Sequence, residues 1–151
     1  MTGAVTIRRA SDSDAGAIFA LYRELAGAYG GTSEDASQEE KLWQEVAADA
    51  RQHILVAEQA AVVVGTLTLI IIPNLGHHGQ PWAAVENVVV DSRLQGQGIG
   101  KALMAEAGRI ARDHQCYKLV LSSNLIRKDA HEFYRRQGWR QTHSGFSLDL
   151  D

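Results

Sequence analysis

The sequence predicts one α+β domain, in which a mixed and mostly antiparallel central sheet is flanked by about four helices. Short runs rich in β-branched residues, which are typical of strands, alternate with longer segments whose apolar residues recur at helical spacing. The chain of 151 residues shows no internal repeat, linker or low-complexity segment. This length suits a single domain over residues 1–151, because a chain of this size can bury one core.

The first predicted elements are a strand and two helices. Residues 5–9 alternate apolar and polar side chains, which indicates a strand. Ser11 and Asp12 then offer side-chain oxygens as N-caps to a helix that ends near the stretch GAYGG. Ser37 and Glu40 have the spacing of a capping box, so we expect a second helix to begin there.

The rest of the chain alternates strands with two further helices. Segments dense in β-branched residues predict a hairpin and then two more strands, at residues 54–58, 61–72, 85–90 and 118–121. Helical spacing predicts helices at residues 98–114 and 128–137. The tail WRQTHSGFSLDL alternates in the manner of strands.

Composition argues against several classes of function. The formal net charge of −3 provides no basic surface of the kind that binds nucleic acid or anionic membranes. No apolar run reaches the ~18 residues of a membrane span, and the first residues lack a signal-peptide core. Cys116 is the single cysteine and cannot form an internal disulfide, so we expect a cytoplasmic protein.

A glycine cluster in the stretch VENVVVDSRLQGQGIGKALM joins a strand-like run to a helix. Gly96, Gly98 and Gly100 permit tight turns at positive φ and a close approach of a ligand to the backbone. The first N–H groups of a helix lack intrahelical acceptors and lie at the positive end of its dipole. The cluster therefore predicts a phosphate site, and a pyrophosphate is the expected ligand.

Two other families of glycine loop do not fit the spacing. A dinucleotide-binding G-x-G-x-x-G sequence counted from Gly96 has Lys101 in place of its third glycine. An NTPase phosphate loop requires Ser or Thr after Gly100 and Lys101, and Ala102 stands at that position. A glycine-rich turn without a ligand remains the alternative.

The string VVVDSRLQGQGIGKALM closely resembles the acetyl-CoA-binding motif of the GNAT superfamily of N-acetyltransferases. That motif reads Q/R-x-x-G-x-G/A and is met by Gln95, Gly98 and Gly100. The later string KDAHEFYRRQGW resembles the second motif of the same superfamily, and the two motifs together cover residues 84–139. The resemblance implies a three-layer α/β fold with acetyl-CoA as the acetyl donor.

The resemblance also implies how the donor binds. In GNAT proteins two neighbouring strands splay apart around the pantetheine arm, whose amides pair with free backbone groups of the first strand. Carried over to this sequence, the pairing backbone belongs to Val88 and Val90. The pyrophosphate is then expected at the backbone amides of Gln95, Gly96, Gln97, Gly98, Ile99, Gly100 and Lys101.

Acetyl transfer to an amine needs a base for the amine and a proton for the departing thiolate. Tyr134 matches the tyrosine that family members place beside the thioester sulfur, and Phe133 is expected to pack along the donor. Glu86 is the one carboxylate in the apolar run 82–90, where burial would raise its pKa toward that of a general base. The alternatives are a core aromatic for Tyr134 and a structural ion pair for Glu86. Asn87 points to the opposite face from Glu86 unless a β-bulge reassigns both.

Other polar residues near the motifs have open roles. Either Asn124 or Arg127 is expected to contact the donor, because Arg127 stands where the family often has an asparagine. His131 offers a proton shuttle, although packing is the commoner role for one histidine on a helix. The adjacent His77 and His78 lack a third ligand and do not indicate a metal site.

These observations predict an enzyme that moves an acetyl group from acetyl-CoA to a primary amine by direct transfer in a ternary complex. The stretches VENVVV and CYKLVL are similar to parts of glucosamine-6-phosphate N-acetyltransferases. A sugar phosphate is therefore one acceptor to consider, beside small amines, aminoglycosides, amino acids and protein N-termini. The resemblance also implies a homodimer. A non-catalytic module that senses acyl-CoA is the alternative function.

Overall fold

The protein, analysed as a computed structural model that describes residues 3–29 and 38–150, contains one five-stranded sheet. Its strands lie side by side in the order of the chain: β1 (Val5–Arg9), β2 (Gln52–Gln59), β3 (Val62–Ile72), β4 (Trp82–Val90) and β5 (Leu119–Leu121). The first four strands pair antiparallel.

The segments that lead into β4 and β5 advance in the same direction. Tyr117 N donates to Pro81 O and Ala83 N donates to Lys118 O, both at 3.0 Å, so the partners ascend together along both segments. The sheet is therefore mixed and mostly antiparallel, which confirms the predicted fold class.

Four α-helices lie within the described residues: α1 (Ala15–Tyr29), α2 (Glu39–Ala47), α3 (Ile99–Asp113) and α4 (Lys128–Arg136). The chain forms two units, Met1–Val120 and Leu121–Asp151, and α4 belongs to the second. The predicted start of α2 at Ser37 lies outside the described residues. No helix in the ranges 3–29 and 38–150 is long and apolar enough to cross a membrane.

The first unit has three layers, with helices on both faces of the sheet. Ile54 and Val56 of β2 pack in a buried cluster with residues of α1 and α2, namely Ile18, Phe19 and Trp43. Gly65 of β3 is opposite Ala57, the residue after Val56, so it points to the other face. On that face it lies against Ile99 and Leu103 of α3. The sheet is therefore enclosed between α1 and α2 on one side and α3 on the other.

The turn between β2 and β3 lies one residue later than the sequence indicated. Ala60 and Ala61 have φ values of 50° and 61°, and they alone separate the two strands. Positive φ at both central residues is the geometry of a type I′ hairpin, whose twist matches that of the flanking strands. Ala61, predicted as the first residue of a strand, is therefore part of the turn.

An ion-pair cluster ties the start of α1 to the edge of the sheet. Arg8 donates to both oxygens of Asp14, at 2.7 and 2.9 Å, and to Glu58 Oε2 at 3.1 and 2.6 Å. Ser11 N and Oγ also donate to Asp14 Oδ2, at 2.7 and 3.0 Å. Asp12, predicted as a capping residue, instead accepts a hydrogen bond from Trp43 Nε1 at 2.8 Å. The carboxylate that organises this end of the helix is therefore that of Asp14.

The predicted strands in the tail are wrong, because no strand is present in residues 137–150. The alternating apolar side chains of this segment are exposed, at 97% for Phe146, 82% for Leu148 and 90% for Leu150. A period of two produces a strand only where a neighbouring edge pairs with the backbone, and no such pairing is present among the described residues. The pattern therefore marks an exposed apolar segment of the second unit.

We expect Asp14→Asn to lower the free energy of unfolding at pH 7 by about 1–3 kcal/mol, because it removes charge-assisted hydrogen bonds from a buried group. The hydrogen bonds from Arg8 hold the pKa of Asp14 at about 2, below the ordinary value of 3.8. The stabilisation is therefore present above about pH 4 and is lost as the pH falls through 2. Urea denaturation across this range should show the variant and the wild type converging on acidification.

The matched control is Asp113→Asn, which removes a carboxylate paired with Arg109 at the surface. Exposed pairs contribute little, so this variant should change the stability by less than about 1 kcal/mol. Equal losses in the two variants, or a difference at Asp14 that does not depend on pH, would contradict this description of the cluster.

Candidate functional site

A β-bulge interrupts β4 at Asn87. The register runs from Glu86 opposite Thr68 to Val89 opposite Thr66, so one residue of β3 faces two residues of β4. Asn87 has a φ of 54°, in the left-handed region that residues other than glycine seldom adopt. The bulge that the sequence left open is therefore present, and it reassigns the faces of the residues beyond it.

Glu86 lies immediately before the bulge and is exposed. Because it is opposite Thr68, its side chain is on the face of the sheet that α1 and α2 cover. The expectation that the apolar strand buries this carboxylate is wrong, because the Glu86 side chain is exposed to solvent. In residues 3–29 and 38–150 no hydrogen bond or ion pair engages the Glu86 carboxylate. The ion-pair alternative for Glu86 has no support in this part of the chain.

The end of β4 directs backbone groups away from β3. Asp91 N donates to Val64 O at 2.9 Å, and Val89 is opposite Thr66. Hydrogen-bonding residues alternate along an antiparallel pair, so Val88 and Val90 turn their N–H and C=O groups to the side opposite β3. Those groups have the orientation that strand addition by an extended ligand requires.

The glycine cluster forms the turn that starts α3. Gly96 and Gly98 have φ values of 79° and 83°, and a Cβ at either position would meet no atom within 4 Å. Gly98 is the N-cap, and the first intrahelical bond runs from Ala102 N to Gly98 O at 3.0 Å. The amides before Ala102, those of Ile99, Gly100 and Lys101, have no acceptor within the helix. Open space therefore adjoins a set of donors at the positive end of the helix dipole.

Asp91 stabilises this turn through its side chain, a role that was not predicted from the sequence. Its buried carboxylate accepts hydrogen bonds from Arg93 N at 2.9 Å and from the Arg93 guanidinium at 3.0 and 2.6 Å. These bonds, the side-chain ones first, hold the pKa of Asp91 below its ordinary value. Glu24 of α1 accepts a further bond from Ser92 N at 2.9 Å. An Asp side chain that accepts from the amide two residues later is a recognised turn, so the Asp91–Arg93 spacing is the feature of the sequence that could have indicated it.

In the second unit, Asn124 organises the start of α4. Its Oδ1 accepts from Ile126 N at 3.0 Å, and its carbonyl oxygen accepts from Arg127 N at 3.0 Å. The same carbonyl lies 3.0 Å from His131 Nε2. His131 therefore closes the turn before the helix, which favours the packing and capping role over the proton shuttle. Arg127 is the N-cap residue of α4.

Tyr134 lies in the middle of α4 within an aromatic cluster and is half-buried. Its ring packs edge-on against Phe133, with centroids 5.3 Å apart, and against Trp139 at 6.0 Å. Its carbonyl oxygen accepts from Gln137 N and Trp139 N, at 3.0 and 3.1 Å, at the end of the helix. The ring packing expected of the alternative, in which Tyr134 is a core aromatic, is therefore present.

His77 and His78 occupy an exposed turn with φ values of 49° and 58°. The His77 ring stacks on Tyr117, with centroids 3.9 Å apart and an angle of 22° between the planes. His77 is therefore engaged in packing.

The family model of the acetyltransferase (GNAT) family matches residues 18–139. This match covers most of the chain, and the chain belongs to that family.

Two relatives and one solved structure indicate the range of similar proteins. A glucosamine 6-phosphate N-acetyltransferase of Trypanosoma brucei brucei is 35% identical over 88 residues, 58% of this chain and 58% of the relative. An aminoalkylphosphonate N-acetyltransferase of Salmonella typhimurium strain LT2 is 35% identical over 102 residues, 68% of this chain and 66% of the relative. Both matches thus span less than two thirds of the relative's length.

The solved structure is that of a candidate acetyltransferase from Agrobacterium tumefaciens str. C58. It is 28% identical, with a TM-score of 0.89, and the similarity covers 96% of this chain and 99% of that one. The fold extends over nearly the whole of both chains.

Proposed function

We propose that the protein transfers the acetyl group of acetyl-CoA to a primary amine, by direct transfer within a ternary complex. The observation that carries the proposal is the first turn of α3, where Gly98 ends an open loop and the next amides lack intrahelical acceptors. Membership of the GNAT family supports acetyl-CoA as the donor. The alternative, a non-catalytic sensor of acyl-CoA, is not favoured by the two relatives, both of which are named as N-acetyltransferases.

The acceptor we propose is a primary amine that also carries a phosphate or phosphonate group. The printed names of both relatives describe such acceptors, a sugar phosphate in one case and an aminoalkylphosphonate in the other. These two substrates differ in carbon skeleton and share an amine together with a phosphorus oxyanion. The shared chemistry is therefore a better guide to this chain than either complete substrate.

Turnover of acetyl-CoA with matched pairs of amines tests the proposed function. Glucosamine 6-phosphate is compared with glucosamine, and an aminoalkylphosphonate with the corresponding alkylamine. We expect thiol release with the member of at least one pair that carries the phosphorus oxyanion, and a lower kcat/KM with the partner that lacks it. Binding of acetyl-CoA without turnover of any amine would favour the sensor, and faster turnover of both amines that lack the oxyanion would contradict the proposed acceptor class.

Two sets of backbone groups are proposed to bind acetyl-CoA, one at its pyrophosphate and one at its pantetheine arm. The amides of residues 95–101 would hold the pyrophosphate, and the outward backbone groups of Val88 and Val90 would pair with the pantetheine amides. Acetyl-CoA supplies an activated thioester, in which the C–S bond breaks as the C–N bond forms. Phe133 packing along the donor and the contacts from Asn124 and Arg127 remain proposals, as does the cytoplasmic location.

We expect Gly98→Val to raise the dissociation constant of acetyl-CoA by at least tenfold, because the branched side chain would enter the open space beside the α3 amides. Gly138→Val is the matched control. Gly138 closes α4 with a φ of 85°, and a Cβ there would also meet no atom within 4 Å, so valine strains the backbone at this position too. Calorimetry on both folded variants makes the comparison. Equal affinity losses in the two would attribute the effect to strain and contradict the pyrophosphate site.

Glu86 is the proposed general base, and its exposed position beside the Asn87 bulge supports access to an incoming ammonium group. We expect Glu86→Gln to lower kcat by about 10²-fold. Glu45→Gln on α2, at another exposed carboxylate, should leave kcat unchanged. A wild-type kcat in Glu86→Gln would assign proton removal to water.

Tyr134 is the proposed general acid, which donates a hydrogen bond or a proton to the departing thiolate. Because Tyr134→Phe retains the ring that packs on Phe133 and Trp139, we expect nearly unchanged stability and acetyl-CoA affinity. Removal of the hydroxyl should lower kcat by roughly 10²-fold, and Tyr117→Phe in the first unit is the control. A wild-type rate in Tyr134→Phe would return this residue to a packing role.

A homodimer is also proposed, supported by the exposed apolar segment of residues 146–150. The second unit exposes large apolar side chains and buries one residue of its helix, Ala130. Exposed alternating residues of this kind favour pairing with another strand. A second copy of the chain is the partner we propose, since identical segments can be exchanged between two copies.

We expect light scattering to give twice the chain mass of 16.5 kDa for the wild type. The double substitution of Phe146→Asp and Leu148→Asp should give the mass of one chain, because charge opposes burial of this segment. Leu75→Asp changes an equally exposed leucine in the first unit and should remain dimeric. A monomeric wild type would contradict the homodimer, and a dimeric double variant would exclude the tail as its interface.

A further inference from the structure

We infer that Gly65 is a positioning residue that sets how closely the first turn of α3 approaches the sheet. Through that turn it would determine where the amides proposed to bind the pyrophosphate lie. This inference rests on the proposed function for its consequence, and on the packing of β3 against α3 for its geometry.

A side chain at Gly65 would collide with three atoms at once. An ideal Cβ there lies 3.2 Å from Ile99 Cγ2, from Leu103 Cδ1 and from Val89 O. Ile99 and Leu103 are among the most completely buried side chains of the protein, and the third atom belongs to the backbone of β4. None of the three is a flexible surface group, and each would have to give by a few tenths of an ångström.

Conformational freedom does not account for this glycine. Gly65 is absent from the residues of positive φ, so alanine can adopt its backbone, and the register shift between β2 and β3 falls at the adjacent residue, Val64. Glycine within a strand lowers stability and often marks a bulge or a close approach by another segment of backbone. The close approach of α3 therefore accounts for a residue without a side chain at position 65.

The three contacted atoms belong to residues within or next to the segments proposed to bind the donor. Ile99 follows the N-cap Gly98, and its amide is the first of those that lack an intrahelical acceptor. Val89 lies between Val88 and Val90, whose backbone groups point away from β3. A methyl group at Gly65 would thus press on both segments that are proposed to hold the donor.

Among the other glycines without positive φ, those at positions 3, 16, 27, 76 and 108 have no such neighbours. A Cβ at Gly108, also on α3, would meet the flexible end of Arg112 at 3.4 Å, and one at Gly16 of α1 would meet nothing within 4 Å. Gly108→Ala is therefore a matched control, because it changes glycine to alanine on the same helix without pressing on β4 or on the first turn.

The test compares Gly65→Ala, Gly108→Ala and the wild type. The measurements are the backbone amide chemical shifts of residues 98–102, the dissociation constant of acetyl-CoA, and the KM for acetyl-CoA and kcat during turnover of an accepted amine. We expect Gly65→Ala to move the amide shifts and to raise the dissociation constant and KM by about tenfold, with kcat at saturation within about twofold of the wild type. Gly108→Ala should match the wild type in all of these.

A rescue variant separates positioning from general destabilisation. Leu103→Val removes the Cδ1 atom that the new methyl group meets, so combining it with Gly65→Ala should recover part of the lost affinity. If Gly65→Ala acted only by loosening the core, a second core truncation would weaken binding further. Lower affinity in the double variant than in Gly65→Ala would therefore overturn the inference.

The amide shifts also distinguish failure of this inference from failure of the proposed function. Shifts at residues 98–102 that are the same in Gly65→Ala and Gly108→Ala would overturn the role of Gly65, whatever the protein binds. If the wild type binds no acetyl-CoA, the proposed function fails. Displaced first-turn amides in Gly65→Ala would then still support the positioning role.

Discussion

The packing of α3 against β3 is the contact on which the rest of the candidate site depends. Buried side chains recur every four residues along one side of the helix, at Ile99, Leu103, Ala107 and Ala111. This stripe holds the helix axis against the sheet, and Gly65 leaves the space that its first turn needs. The position of the helix N-terminus, and hence of its free amides, follows from apolar contacts made well inside the core.

The turn that joins β4 to α3 is held by polar contacts of its own. Asp91 fixes the backbone at Arg93, and Glu24 of α1 accepts a bond from Ser92. The glycines that follow leave space above the helix start because none has a side chain there. The loop is thus held by the buried carboxylate of Asp91 and the exposed carboxylate of Glu24, while the space beside Gly96 and Gly98 is open. Such an arrangement presents backbone donors without a large rearrangement of the protein.

Much of the fold could be predicted from the sequence, because periodicity reports which side chains are buried. The first strand was predicted with its observed bounds, and α3 within one residue at each end. The prediction of strands in the tail was wrong, because periodicity does not show whether a partner strand is present. Phe146, Leu148 and Leu150 alternate, but no strand of the described residues pairs with them. Periodicity shows that a segment suits a sheet, whereas pairing depends on what lies beside it.

The candidate site was predictable in its main-chain parts and less so in its side chains. The glycine spacing indicated the turn at the start of α3, since positive φ and open space are local properties of the chain. The exposure of Glu86 was not predictable, because the apolar residues on either side of it indicated a buried strand. The role of Gly65 was equally hidden, since the helix that approaches it lies more than thirty residues later in the sequence.

The crystal structure of the complex with acetyl-CoA is the most direct test of the central claim. We predict pyrophosphate oxygens about 3 Å from the amide nitrogens of Gly98, Ile99, Gly100 and Lys101, at the start of α3. The pantetheine amides should pair with the backbone of Val88 and Val90. A pyrophosphate bound away from the start of α3, with these amides left to solvent, would contradict the account.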